Sequence, residues 1–135
     1  MLKYMLDTNI CIFTIKNRPE EVRKQFETYS NQMAVSTVTT MELIYGAEKS
    51  AKPAENLSVI EGFLARLNVL NYDHDAAGQT GQLRAELAKK GQPIGPYDMM
   101  IAGHARALGL ILVTNNTREF NRAPGLRVED WVNHH

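Results

Sequence analysis

The stretch Gly95–Asn116, GPYDMMIAGHARALGLILVTNN, decides how the rest of the chain is read. Gly95-Pro96 introduces a helix, because proline at the first helical position gives up only an N–H that has no partner there. That helix runs from Tyr97 to about Leu108, and Gly109 ends it. Met99, Met100, Ile101 and Ala102 make its start apolar nearly all round, the mark of a buried helix. Leu110 to Thr114 follows at once and is the most strand-like run in the protein. Short apolar runs alternating with longer helix-period segments predict an α/β fold with a mostly parallel central sheet flanked by helices.

The same alternation extends outward in both directions. Leu2 to Leu6 reads as a first strand, and Asp7-Thr8-Asn9 opens a helix towards Lys16. Pro19 starts a second helix, with Glu20, Glu21 and Lys24 at pairing distance along it. Met33 to Ser36 is a second strand, and Thr37 caps a helix through about Ser50. Pro53 starts another, whose Leu57, Ile60, Leu64 and Leu67, with Val59 and Phe63 beside them, form a wide apolar stripe. Val69 to Tyr72 is a third strand, and Asp73 or Asp75 caps a helix that ends at Lys89-Lys90-Gly91. The tail, Leu126 to Trp131, is read as an edge strand.

A chain of 135 residues suits one domain, expected over residues 1–133, with His134-His135 read as a tag stub. No apolar stretch is long enough for a membrane helix and the N-terminus lacks the pattern of a signal peptide, so a cytoplasmic location is expected. The single cysteine, Cys11, excludes an internal disulfide and sits among Ile10, Ile12 and Phe13, where a buried, inert thiol is expected. Fifteen basic and fifteen acidic residues balance to zero, so net charge does not announce a nucleic-acid partner. Carboxylates neutralised by a bound cation would still leave a positive working surface.

Several acids have a partner one helical turn away: Glu20 has Lys24, Glu48 has Lys52 and Glu86 has Lys90. Three others do not fit a solvated helix face. Asp7 ends the first strand, where ligands bind in a parallel sheet, although Asp is also a favoured helix cap. Glu42 lies inside a helix with no basic neighbour on its face, as a surface residue or as a half-buried carboxylate that needs a cation. Asp98 opens the buried helix with no Lys or Arg nearby. Glu119 stands three residues after Asn116, free to join the same place or to pair with Arg118 or Arg122. Thr8, Asn9, Thr114, Asn115 and Asn116 supply neutral groups that orient ligands or water. Oxygen-only ligation selects a hard cation, Mg²⁺ or Mn²⁺, over zinc, and His74 and His104 are read as structural.

Asp7-Thr8-Asn9 after a hydrophobic run, Met41–Ala47, Gly95–Asp98 with Ile101-Ala102, and Thr114–Asn116 with Glu119-Phe120 recur in this order in one family. The chain resembles the PIN-domain ribonucleases of the VapC type, toxins of bacterial toxin–antitoxin pairs, over essentially its whole length. The resemblance implies a PIN-like three-layer fold and an endoribonuclease in which Asp7, Glu42 and Asp98 hold Mg²⁺ or Mn²⁺. Many members carry a fourth acid where this chain has Asn116; likeness to the enterobacterial branch implies that Glu119 replaces it, the alternative being a weakly held second metal. That branch also implies initiator tRNA, cut in its anticodon region, as substrate. A VapB-type antitoxin, a homodimer and operator DNA bound only through the antitoxin complex are the implied partners. A catalytically weak PIN-fold binding module is the alternative, favoured only by Asn116. Lys16, Arg18, Lys49, Lys52, Arg84, Lys89 and Lys90 would contact phosphates if they ring the crevice.

Overall fold

A computed structural model describes residues 1–132; His134-His135 lie outside the described residues. Five strands form one parallel sheet in the order β3-β2-β1-β4-β5: β1 (Tyr4–Leu6), β2 (Met33–Ser36), β3 (Asn68–Leu70), β4 (Ile111–Val113) and β5 (Val128–Glu129). The helices are α1 (Thr8–Asn17), α2 (Glu20–Thr28), α3 (Thr37–Glu48), α4 (Pro53–Leu64), α5 (His74–Lys90), α6 (Pro96–Leu108) and α7 (Thr117–Phe120).

Alternation along the central strands makes the three layers. Tyr4 and Leu6 of β1, with Ile111 and Val113 of β4, face a core built with α1, α2 and α4. Met5 and Leu112 face the opposite core, built with α5 and α6. Successive strand side chains point to opposite faces, so an apolar residue at every position fills both cores.

From β1 the chain steps outward to β2 and β3, then returns to lay β4 against the other side of β1. The strand order therefore reverses at β1 and β4, and a crevice opens beyond their C-terminal ends. Leu6 pairs with Val113 there, and the Asp7 N–H donates to Val113 O at 3.0 Å.

Several expectations shift. Leu2 and Lys3 precede β1, Leu110 and Thr114 flank β4, and the tail pairs with β4 only at Val128–Glu129. The α4 helix stops at Leu64 because Arg66 and Leu67 bond back to Phe63 and Leu64, three residues earlier, in a tightened last turn. Its apolar stripe is mostly core: Ile60 is buried, and Leu57, Phe63, Leu64 and Leu67 pack against the β1–α1 core, whereas Val59 is exposed. Glu20 does meet Lys24, at 4.0 Å. Lys52 pairs with Glu55 at 3.8 Å instead of Glu48, because α3 ends at Glu48 and Lys52 caps the next helix. Glu86 faces α6 and pairs with Arg106 at 3.2 Å rather than with Lys90.

Candidate active site

Asp7 follows β1 and is wholly buried. One carboxylate oxygen caps α1, accepting the Ile10 N–H at 2.8 Å; the other accepts the Thr114 hydroxyl at 2.6 Å from the end of β4. Cap and crevice position thus coincide in one residue. The Asn116 N–H donates to Thr114 Oγ1 at 2.9 Å and fixes that hydroxyl as a donor towards Asp7.

Glu42, on the second turn of α3, is half-buried. Thr8 Oγ1 donates to Glu42 Oε1 at 2.6 Å and shares a 3.1 Å hydrogen bond with the buried Thr39 hydroxyl, which ties α3 to α1. Thr39 carried no signal in sequence, since a mid-helix threonine reads as neutral until its facing helix is known.

Asp98 stands in the first turn of α6, and Glu119 reaches it from α7. The Gly95 N–H donates to Glu119 Oε1 at 3.1 Å, and Asn116 Nδ2 donates to Oε2 at 3.2 Å. Glu119 is therefore held by an amide and a backbone N–H, not by Arg118 or Arg122; Arg122 bonds Pro93 O at 2.8 Å. A Cβ on Gly95 would lie 3.8 Å from Asp98 Oδ2 and 3.9 Å from Glu119 Oε1, so the missing side chain leaves the space between these acids open. In sequence Gly95-Pro96 marks a helix start and one block of the family resemblance, and its hold on Glu119 shows only in the fold.

The acids feel one another. Burial pushes the Asp7 carboxyl up to about 6 against the pull of its two hydrogen bonds, and Glu42 and Glu119 add to the rise. Asp98 is pushed up to about 7, first by burial, then by the charges of Glu119, Asp7 and Glu42, and by a hydrogen bond shared with Glu119. Among the described residues none of the four is in an ion pair. Uncompensated like charge in a half-dry crevice calls for a cation.

The donor set fits a hard divalent ion. It consists of carboxylate and hydroxyl oxygens with an open space between Asp98 and Glu119. Among the described residues no three His, Cys, Asp or Glu side chains already stand together as a closed metal-ion cluster. His104 is in the core away from the four acids, with Nδ1 2.9 Å from Ser36 Oγ and its ring edge-on to Tyr72. The Cys11 thiol is buried and held protonated by burial.

A crevice of about 850 Å³ runs from this site between α1, α3 and α4; of the four acids only Glu42 lines it. Asn9 stands exposed at its rim, and Lys16, Lys49 and Tyr97 line it. Asn115 is half-buried beyond β4. Of the expected phosphate-contacting cations, Arg84, Lys89 and Lys90 sit on α5, and neither they nor Arg18 and Lys52 line the crevice.

The raised carboxyls have a consequence for stability. The unfolded chain releases its Asp protons near pH 4, whereas the fold keeps those of Asp7 and Asp98 to about 6 and 7. Between those limits the native state binds more protons, so their contribution to metal-free stability falls as pH rises. For Asp7 the loss approaches about 3 kcal/mol. Buried His104 holds its proton less readily than usual and works in the opposite direction. Urea unfolding of wild type against Asp7→Asn in EDTA isolates the effect: wild type should gain on the variant from pH 8 to pH 5. A constant difference would contradict the burial of this charge.

A PIN-domain family profile matches residues 4–126. The tRNA(fMet)-specific endonuclease VapC of Salmonella typhimurium is 64% identical over 131 residues, 97% of this chain and 99% of that protein. The protein of the same name from Shigella flexneri is 66% identical over 131 residues, with 97% and 99% covered. The crystal structure of DNA-bound VapBC from Salmonella typhimurium matches with a TM-score of 0.95 at 64% identity, covering 97% of this chain and 99% of that one.

Proposed function

The chain belongs to the PIN-domain family, in its VapC branch of ribonucleases, and we propose that it cuts RNA by metal-assisted hydrolysis at Asp7, Glu42, Asp98 and Glu119. The observation that carries this reading is the meeting of four mutually repelling carboxylates, none in an ion pair among the described residues, beyond β1 and β4. PIN-domain ribonucleases in general depend on a divalent metal. Here Asp7, Glu42 and Asp98 would hold Mg²⁺ or Mn²⁺, with Glu119 beside them. When bound, the cation supplies Lewis acidity to the scissile phosphate and to the attacking water.

The chain's own residues preset that arrangement. Thr114 and the Ile10 N–H fix the Asp7 carboxylate, and Thr8 fixes Glu42. Asn116 fixes Glu119, so the amide holds an acid at the crevice where many relatives carry the acid itself. A catalytically weak binding module rests on Asn116 alone, and metal titration alongside an RNA-cleavage assay separates the two, since metal binding without cleavage of any RNA would favour it. Lys16 and Lys49 flank the crevice and would take phosphates on either side of the scissile bond.

The substrate follows from the relatives, which are named for tRNA(fMet). An initiator tRNA, whose anticodon loop splays its bases, is the proposed target. A VapB-type antitoxin would cover the crevice, whose wall is largely apolar along Ile12, Ile15, Val59 and Ile60. Operator DNA would be bound through that complex. Exposed Met41, Ile44, Tyr45 and Tyr97 offer the surface for a homodimer.

Because water is the nucleophile, the products should carry 5′-phosphate and 3′-hydroxyl ends, and EDTA should abolish cutting with Mn²⁺ restoring it. Incubation with total RNA and mapping of the new ends checks both. A 2′,3′-cyclic phosphate, or full activity in EDTA, refutes the mechanism; uniform degradation refutes the tRNA assignment.

A further inference from the structure

The crevice does not end at α4. It continues into a second opening of about 390 Å³, with Ile15 and Val59 lining both. Three arginines surround the second opening: Arg18 just after α1, Arg23 on α2 and Arg66 after α4. All three are exposed, and none is in an ion pair among the described residues. No acidic residue lines this opening. The Arg66 guanidinium lies 5.7 Å from the Phe26 ring centre, which restricts it without neutralising it. Only Arg18 had been singled out in sequence; Arg23 and Arg66 are brought to it by packing of distant helices.

Three unneutralised guanidiniums converging from separate helices repel one another, and their planar donor forks match phosphate oxygens. The α1 helix joins the two places: its 10 residues span about 15 Å between Asp7 and Arg18. We propose that Arg18, Arg23 and Arg66 form a clamp for the RNA phosphate backbone, set several nucleotides away from the cut. The clamp rests on the ribonuclease reading of the acids. An acidic peptide would also suit the arginines, but it would be repelled by the carboxylate end of the same groove. A polynucleotide must place one phosphate at the acids, and the rest of its strand then has this groove to follow. The clamp would also offset the repulsion between RNA and an acidic site in a chain of zero net charge.

The test is the triple variant Arg18→Gln/Arg23→Gln/Arg66→Gln, checked for native circular dichroism and melting temperature. On full-length tRNA its kcat/KM should fall at least about thirtyfold, mainly through KM. On a trinucleotide spanning the cut, too short to reach the clamp, it should match wild type. The slope of log affinity against log salt should flatten by about 2, the share of three contacts to a single strand. Wild-type turnover and salt slope on tRNA would overturn the proposal, as would equal losses on long and short RNA. So would unchanged RNA binding with loss of an acidic peptide, which would assign the groove to a protein. If wild type cuts no RNA, the ribonuclease reading fails, and the salt slope for uncut tRNA still decides the clamp.

Discussion

Asp7→Asn is expected to lower RNA cleavage by on the order of a thousandfold while leaving the fold in place. The reasoning starts from what each carboxylate oxygen does. One caps α1, and asparagine caps a helix as well as aspartate. The other accepts the Thr114 hydroxyl, and an asparagine amide placed there forces that hydroxyl to turn from donor to acceptor. The fold therefore keeps its helix cap and gives up at most this one bond. What disappears is a charge that burial already disfavours, since Asp7 ionises only near 6. In EDTA at pH 8 the variant should be the more stable protein, by up to about 3 kcal/mol. Loss of activity with a gain in stability is the signature of a charge kept for chemistry. Cleavage rates on tRNA and urea midpoints on the same samples check it; retained cleavage would remove Asp7 from the site.

Gly103→Ala is expected to cost about 3 kcal/mol, a large loss for so small a substitution. Gly103 lies on α6 where that helix crosses α5. A Cβ there would stand 2.7 Å from Thr80 Cα and 2.8 Å from Thr80 N, besides clashing with Thr80 Oγ1. The hydroxyl cannot simply swing away, because it donates to Ala76 O at 2.8 Å and accepts from Tyr72 OH at 2.7 Å. The backbone contacts leave the two helices no choice but to separate. Because α6 also carries Asp98, cleavage should drop alongside the melting temperature. Thr80→Ala should fail to rescue the variant, since it leaves the Cα and N in place. Rescue, or a neutral Gly103→Ala, would show that the crossing is looser than described.

These two residues mark what the sequence made legible. Asp7 and Asp98 stood out because their contexts are local: an acid at the end of an apolar run, and an acid opening an apolar helix with no cation in reach. The parallel sheet was legible for the same reason, from runs such as Ile111–Val113. Gly103 gave no such sign, because its need depends on which helix crosses it, and that is settled only by packing. Thr39, Gly95, Arg23 and Arg66 share this difficulty. The Glu48–Lys52 pairing failed for a related reason: helical spacing implies contact only within one helix, and α3 ends between them. Glu119 stayed open between arginine partners and the crevice until the Gly95 N–H and Asn116 were seen to hold it.

Calorimetric titration of the metal-free protein with Mn²⁺, for wild type and for Asp98→Asn, puts the whole account at risk in one experiment. Saturable binding by wild type, weakened at least about thirtyfold in the variant, is the result predicted by the proposed site, in which Asp7 after β1, Glu42 on α3 and Asp98 on α6 hold one ion together. No binding by wild type, or equal binding by both proteins, would mean that these acids do not form a cation site.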